Sequence, residues 1–116
     1  MKYFASFRFD EHTGMLFRDR QPVRLTRKAG GLLRCLIEQA GALVTHKAIM
    51  ATVWPDTHVQ PDNVKVLIRE LRVALGDDSR QPRFIQSQPT RGYVFIALVA
   101  DMPPRVELAQ QVIRSP

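Results

Sequence analysis

The sequence predicts an α+β fold with an antiparallel sheet first, three helices next and a β-hairpin last. Three observations predict it. Apolar residues of the first quarter alternate between turn signals, as short strands do. From Thr26 to Leu75, apolar residues recur mainly at helical spacing. Aromatic and β-branched residues then return on either side of Gln88-Pro89-Thr90-Arg91-Gly92.

In chain order, Phe4, Phe7 and Phe9 mark a first extended run, and Asp10-Glu11-His12-Thr13-Gly14 reads as a turn. Met15-Leu16-Phe17-Arg18 resumes the strand, and Val23-Arg24-Leu25 is a third after the break at Pro22. A helix is expected from Thr26, whose hydroxyl suits an N-cap, to Gln39, with Leu32, Leu33, Leu36 and Ile37 as its buried stripe. Gly30-Gly31 is the awkward point in it, because an interior glycine weakens a helix. Leu43-Val44-Thr45 is a short strand that can join the first sheet. A second helix runs from Thr45 or His46 to Val53, with Ala48, Ile49, Ala51, Thr52 and Val53 as a narrow apolar face. Trp54-Pro55 stops it. The clearest helix spans Asp62–Leu75, with Val64, Ile68, Leu71 and Leu75 in one stripe and Asp62 as a good N-cap. Gly76 ends it and Asp77-Asp78-Ser79 turns the chain. Phe84–Ser87 and Tyr93–Val99 are the arms of the final hairpin, and Pro103-Pro104 closes the compact unit.

With 116 residues and 45% apolar content, the chain fits one domain with a real core, expected over residues 1–100. Residues 101–116 are expected to be a linker or a short C-terminal helix. The net charge of +6 favours a polyanionic partner, nucleic acid before an anionic membrane surface. The single cysteine, Cys35, forbids an internal disulfide, suits a reducing cytoplasm and reads as a small buried hydrophobe. No apolar run approaches the ~18 residues of a membrane span, and the N-terminus lacks a secretory pattern. A cytoplasmic location is the expectation.

The last helix sets Lys65, Arg69 and Arg72 opposite its core stripe, with Asn63, Val66 and Glu70 nearby. A helix fits the major groove of DNA. There arginine and lysine donate to guanine or phosphate, asparagine pairs with adenine, valine touches a thymine methyl and glutamate accepts from cytosine. A solvated basic face is the alternative. Arg91, at the hairpin tip, is placed to enter a narrow minor groove. Tyr93 is either a phosphate-bonding hydroxyl or a partly buried strand aromatic.

Several segments carry a family resemblance. They are Pro22-Val23-Arg24-Leu25-Thr26-Arg27-Lys28, Leu43-Val44-Thr45, Val53-Trp54-Pro55-Asp56, the run from Asn63 to Asp78, and Arg91-Gly92-Tyr93-Val94-Phe95. In their order and spacing the chain resembles the OmpR/PhoB-type winged-helix DNA-binding domain, as found at the N-terminus of CadC-like and large multidomain activators. The resemblance implies a winged helix-turn-helix with a four-stranded N-terminal sheet, a three-helix core and a C-terminal β-hairpin wing. It implies double-stranded DNA as partner, with the Asp62–Leu75 helix in the major groove and the wing in the minor groove. It also implies that the Trp54–Pro61 loop, with Asp56, Thr57 and His58, meets RNA polymerase. Gly30-Gly31 departs from the bulky pair usual in the family, and Arg91 is the only cation of the wing.

Catalysis is not expected. His12, His46 and His58 show no metal-ligand spacing with Cys35 or one another. No phosphate loop, nucleophile elbow or carboxylate pair stands out, so no metal, cofactor or small-molecule substrate is predicted. A winged helix that binds protein is the main rival. Membrane-surface binding is a weaker one, because core packing explains the apolar side of the last helix.

Overall fold

A computed structural model of the chain describes residues 1–103. Most of the expected linker or short helix over 101–116 lies outside the described residues.

Four short strands open the chain: β1 (Lys2–Phe4), β2 (Phe7–Asp10), β3 (Met15–Arg18) and β4 (Gln21–Val23), paired antiparallel in that order. The single first run read from the aromatic alternation is in fact two strands. The register Phe4↔Phe7 leaves Ala5-Ser6 as a two-residue turn, with Ala5 at φ 50°. An alanine in the left-handed region costs about 1–2 kcal/mol. Folding back there brings the rings of Phe4 and Phe7 to 5.6 Å, stacked and buried. The last strand of this sheet is Gln21–Val23, not Val23–Leu25. Pro22 is tolerated because β4 is an edge strand.

Three helices pack on one another: α1 (Arg27–Glu38), α2 (His46–Val53) and α3 (Pro61–Leu75). Thr26 caps α1 through its Oγ1, which accepts from the Ala29 amide, and Thr45 caps α2 in the same way through Ala48. Leu32, Leu33, Leu36, Ile49, Ile68 and Leu71 form the shared core. On α2 only Ile49 and Val53 are buried; Ala48, Ala51 and Thr52 face outward. Asp62 is not the N-cap of α3. Gln60 holds that position without a side-chain bond, Pro61 opens the first turn, and Asp62 follows inside it. Gly76 closes the helix at φ 67°, its amide donating to the carbonyls of Arg72 and Val73.

The two glycines of α1 differ. A Cβ on Gly30 would lie 3.0 Å from the Gly14 carbonyl oxygen, so glycine there lets the helix seat closely against the β2–β3 turn. A Cβ on Gly31 would meet nothing within 4 Å. Gly31→Ala should therefore raise stability by about 1 kcal/mol in a denaturant titration; a loss would show that the space is not free.

The second sheet has the order β5-β7-β6, from β5 (Leu43–Thr45), β6 (Ile85–Gln88) and β7 (Gly92–Phe95). Thus Leu43–Thr45 joins the C-terminal hairpin instead of the first sheet. The register Thr45↔Gly92 brings β5 against a residue without a side chain. The final strand stops at Phe95, short of Val99: the Ile96 amide donates to the Phe84 carbonyl, and Ala100 then exchanges two backbone bonds with Tyr3 on the outer edge of β1. At the hairpin tip the Arg91 amide donates to the Gln88 carbonyl at 2.9 Å, with Pro89 second and Thr90 third at φ 64°. That is the type II pattern, which favours glycine third. Replacing this β-branched residue, Thr90→Gly, should raise the denaturation midpoint by the equivalent of about 1 kcal/mol, net of glycine's greater freedom when unfolded. An unchanged or lower midpoint would contradict the strain.

Candidate nucleic-acid interface

The apolar stripe of α3 turns Val64, Leu67, Ile68, Leu71 and Leu75 into the core. The same periodicity turns Asn63, Lys65, Val66 and Arg69 outward, and all four are exposed. Val66 is 66% exposed and Val73, further along this face, 79%. They place two apolar side chains among the polar ones of this face. Lys65 lies 3.9 Å from Asp62, a loose surface pair. Arg69 has no ion-pair partner among the described residues.

The neighbours of this stripe are tied into the fold. Glu70, read from the sequence as tuning base choice, grips the start of α1. Its Oε2 accepts from the Thr26 amide at 2.7 Å and its Oε1 from the Thr26 hydroxyl at 2.9 Å. Arg72 spans from α3 to the hairpin, where its Nη2 donates to the Ile85 carbonyl at 3.0 Å and to Ser87 Oγ at 3.1 Å. Both lie at the flank of the exposed face, where a long side chain meets the next element instead of solvent. Tyr93 is 6% exposed, with its ring edge against His46 at 5.5 Å. Burial pushes its hydroxyl pKa up, and the charge of Arg72 partly offsets this. Its low exposure is that of a buried strand aromatic, and it also lines the cleft described below.

Asp77, a turn residue by sequence, does more in the structure. Its Oδ1 accepts from the amides of Arg83 (2.8 Å) and Phe84 (3.3 Å), and its Oδ2 from Ile85 (2.9 Å). Its own amide donates to the Arg72 carbonyl. One carboxylate thus fixes where the hairpin leaves α3.

The result is a cleft of about 590 Å³ between α3 and the hairpin, lined by Lys65, Arg69, Arg72, Ser87 and Tyr93 among others. A shallower groove on the far flank of α3 adds Arg24 beside Val66 and Arg69. Arg24, expected in a strand with no site role, lies in the link between β4 and α1. Arg91 is exposed at the hairpin tip, and its carbonyl accepts from the His46 amide at 3.3 Å, tethering the tip to the start of α2. Asp56, Thr57 and His58 are exposed in the link between α2 and α3 and line neither groove. Trp54, at the start of that link, packs partly on the core with Lys28 Nζ 5.5 Å from its ring centre. Among the described residues there is no group of three or more metal-ligating side chains, and no helix is long and apolar enough to cross a membrane.

Residues 20–95 match the family described as "Transcriptional regulatory protein, C terminal". The chain belongs to this family. Its fold is that of the OmpR/PhoB-type winged helix. The structure superposes on the Thermotoga maritima response regulator DrrB, an OmpR/PhoB homolog, with a TM-score of 0.73 and 30% identity, over 81% of this chain and 43% of that one. The DNA-binding domain of E. coli CadC gives 0.74 at 22% identity, over 85% and 94%. The Klebsiella pneumoniae RstA DNA-binding domain, in complex with the RstA box, gives 0.71 at 23% identity, over 81% and 94%. Among curated relatives, the probable transcriptional regulator ycf27 of Porphyra purpurea is 30% identical over 95 residues, 79% of this chain and 39% of its own length. The transcriptional regulator HilA of Salmonella typhimurium is 30% identical over 82 residues, 71% of this chain and 15% of its own. This OmpR/PhoB-type domain therefore spans well under half of either relative. In its winged-helix frame, α3 stands in the recognition-helix position and β6–β7 form the wing.

Proposed function

We propose that the chain is a cytoplasmic, sequence-specific binder of double-stranded DNA that regulates transcription. The observation that carries this reading is the convergence of Lys65, Arg69 and the wing on one open cleft flanked by exposed, unpartnered apolar surface. In this reading α3 enters the major groove. Arg69 and Lys65 donate to guanine or phosphate, Asn63 pairs with adenine, and Val66 contacts a thymine methyl. Arg91 enters the adjacent minor groove. Arg72, Glu70 and Tyr93 serve as positioning residues that hold α3, α1 and the wing in register. Residues 1–100 act as the folded unit. The exposed Asp56, Thr57 and His58 are the surface offered to RNA polymerase.

Selection of bound duplexes from a random library, followed by a salt titration of the best one, tests the proposal. With about five phosphates neutralised, log affinity should fall against log salt with a slope near −4 to −5. Failure to enrich any duplex would refute it. Arg91→Ala should weaken binding most at sites with a narrow, A·T-rich minor groove. Equal affinity of variant and parent on such sites would remove the wing tip from the interface.

A further inference from the structure

Arg24 reaches α3 from another part of the chain, the link between β4 and α1. It is exposed and lines the groove on the flank of α3 away from the wing, with Val66, Arg69, Glu70, Val73 and Ala74. Two facts leave its charge available. Among the described residues it has no ion-pair partner. The one carboxylate of the groove, Glu70, is taken up by the amide and hydroxyl of Thr26. Those two bonds also fasten the link to α3 two residues after Arg24, so the arginine is held beside the helix. Val66, Val73 and Ala74 make the rest of the groove apolar. An arginine stem lies along such surface while its charged head stays in water.

Groove dimensions select what that head meets. An α-helix with its side chains is about 10–12 Å across, and the major groove of DNA is about 12 Å wide. A helix seated there fills the groove. Its outermost side chains face the bases, and its flanks face the two sugar–phosphate walls. On α3 the outermost line runs through Arg69 and Val73, which border the grooves on both flanks. The wing stands on one flank and Arg24 on the other. We propose that Arg24 is a further DNA contact, its guanidinium bound to a backbone phosphate on the wall opposite the wing. This contact rests on the placement of α3 in the major groove proposed above. It grips the duplex from the second side of α3, fixing register without preference for a base.

The test uses the full chain with the selected and the scrambled duplex. Arg24→Ala should melt with the parent. It should weaken binding to both duplexes by a similar factor, about five- to tenfold at 0.1 M salt, and make the log–log salt slope shallower by about 0.9. Arg24→Lys should keep the slope. Arg34→Ala removes the same charge from a cleft that shares no lining residue with either groove of α3, and should leave affinity and slope parent-like. Neutral methylphosphonate, placed at one phosphate at a time, should reveal a position on the wall opposite the wing that weakens the parent and does not weaken Arg24→Ala further. Parent-like affinity and slope in Arg24→Ala, an equal loss in Arg34→Ala, or a loss confined to the selected duplex would each overturn this contact and leave α3 in the major groove. A parent chain that enriches no duplex would overturn the contact and the α3 placement together.

Discussion

Gly92→Ala should lower stability by about 3 kcal/mol, and the melting temperature by about 12–24 °C for a domain of this size. The added methyl would lie 2.0 Å from the Val44 carbonyl oxygen and 2.9 Å from the Thr45 Cα. Both are backbone atoms of β5, so no rotamer change relieves the contact. The β5–β7 ladder must open, and with it the attachment of the wing to the helical core. The loss is a large share of the 5–15 kcal/mol that holds a typical domain together. Thermal unfolding monitored by circular dichroism checks it. A melting temperature within ~2 °C of the parent would show that the strands can separate without penalty, contrary to this packing.

Asp77→Ala should cost about 2–3 kcal/mol. It leaves the amides of Arg83, Phe84 and Ile85 without their acceptor just where the wing begins. A buried donor left unpaired costs about 1–3 kcal/mol, and water entering this half-open loop reduces the sum. Asp77→Asn keeps one acceptor oxygen and should fall between parent and alanine. Hydrogen exchange at Phe84 and Ile85 should quicken before global unfolding does. Because the Asp77 amide also bonds the Arg72 carbonyl, loosening this corner should reduce DNA affinity although Asp77 makes no proposed contact with DNA. Parent-like exchange at Phe84 and Ile85 in Asp77→Ala would rule the clamp out.

What could be read from the sequence follows from which interactions are local. The core stripe of α3 and the leucines of α1 were legible because helical periodicity alone sorts inside from outside. The caps at Thr26 and Thr45 were legible because their bonds close within three residues. The exposed Lys65, Val66 and Arg69 follow from the same periodicity. The Ala5-Ser6 turn is hidden because the residue that takes the positive φ is an alanine, not Gly, Asn or Asp, and only the packing of Phe4 on Phe7 reveals it. The partner of Leu43–Thr45 was hidden because strand pairing across some fifty residues leaves no local mark. Glu70 and Arg72 sit beside the exposed stripe, where spacing cannot tell solvent from a neighbouring element. Their bonds to Thr26 and Ser87 cross 44 and 15 residues. Gly30 is an anomaly by helix propensity alone, and its reason lies in Gly14, sixteen residues away in sequence and in contact with it in the fold.

The most direct test of the account is the affinity of Arg69→Ala for the selected duplex and for a scrambled one, measured side by side by fluorescence anisotropy at fixed salt. Arg69 is exposed, has no ion-pair partner among the described residues, and lines both grooves flanking α3. Its removal should leave the melting temperature unchanged and weaken binding to the selected duplex by about 1–3 kcal/mol, with a much smaller loss on the scrambled one. Parent-like affinity on both duplexes would contradict the placement of α3 in the major groove.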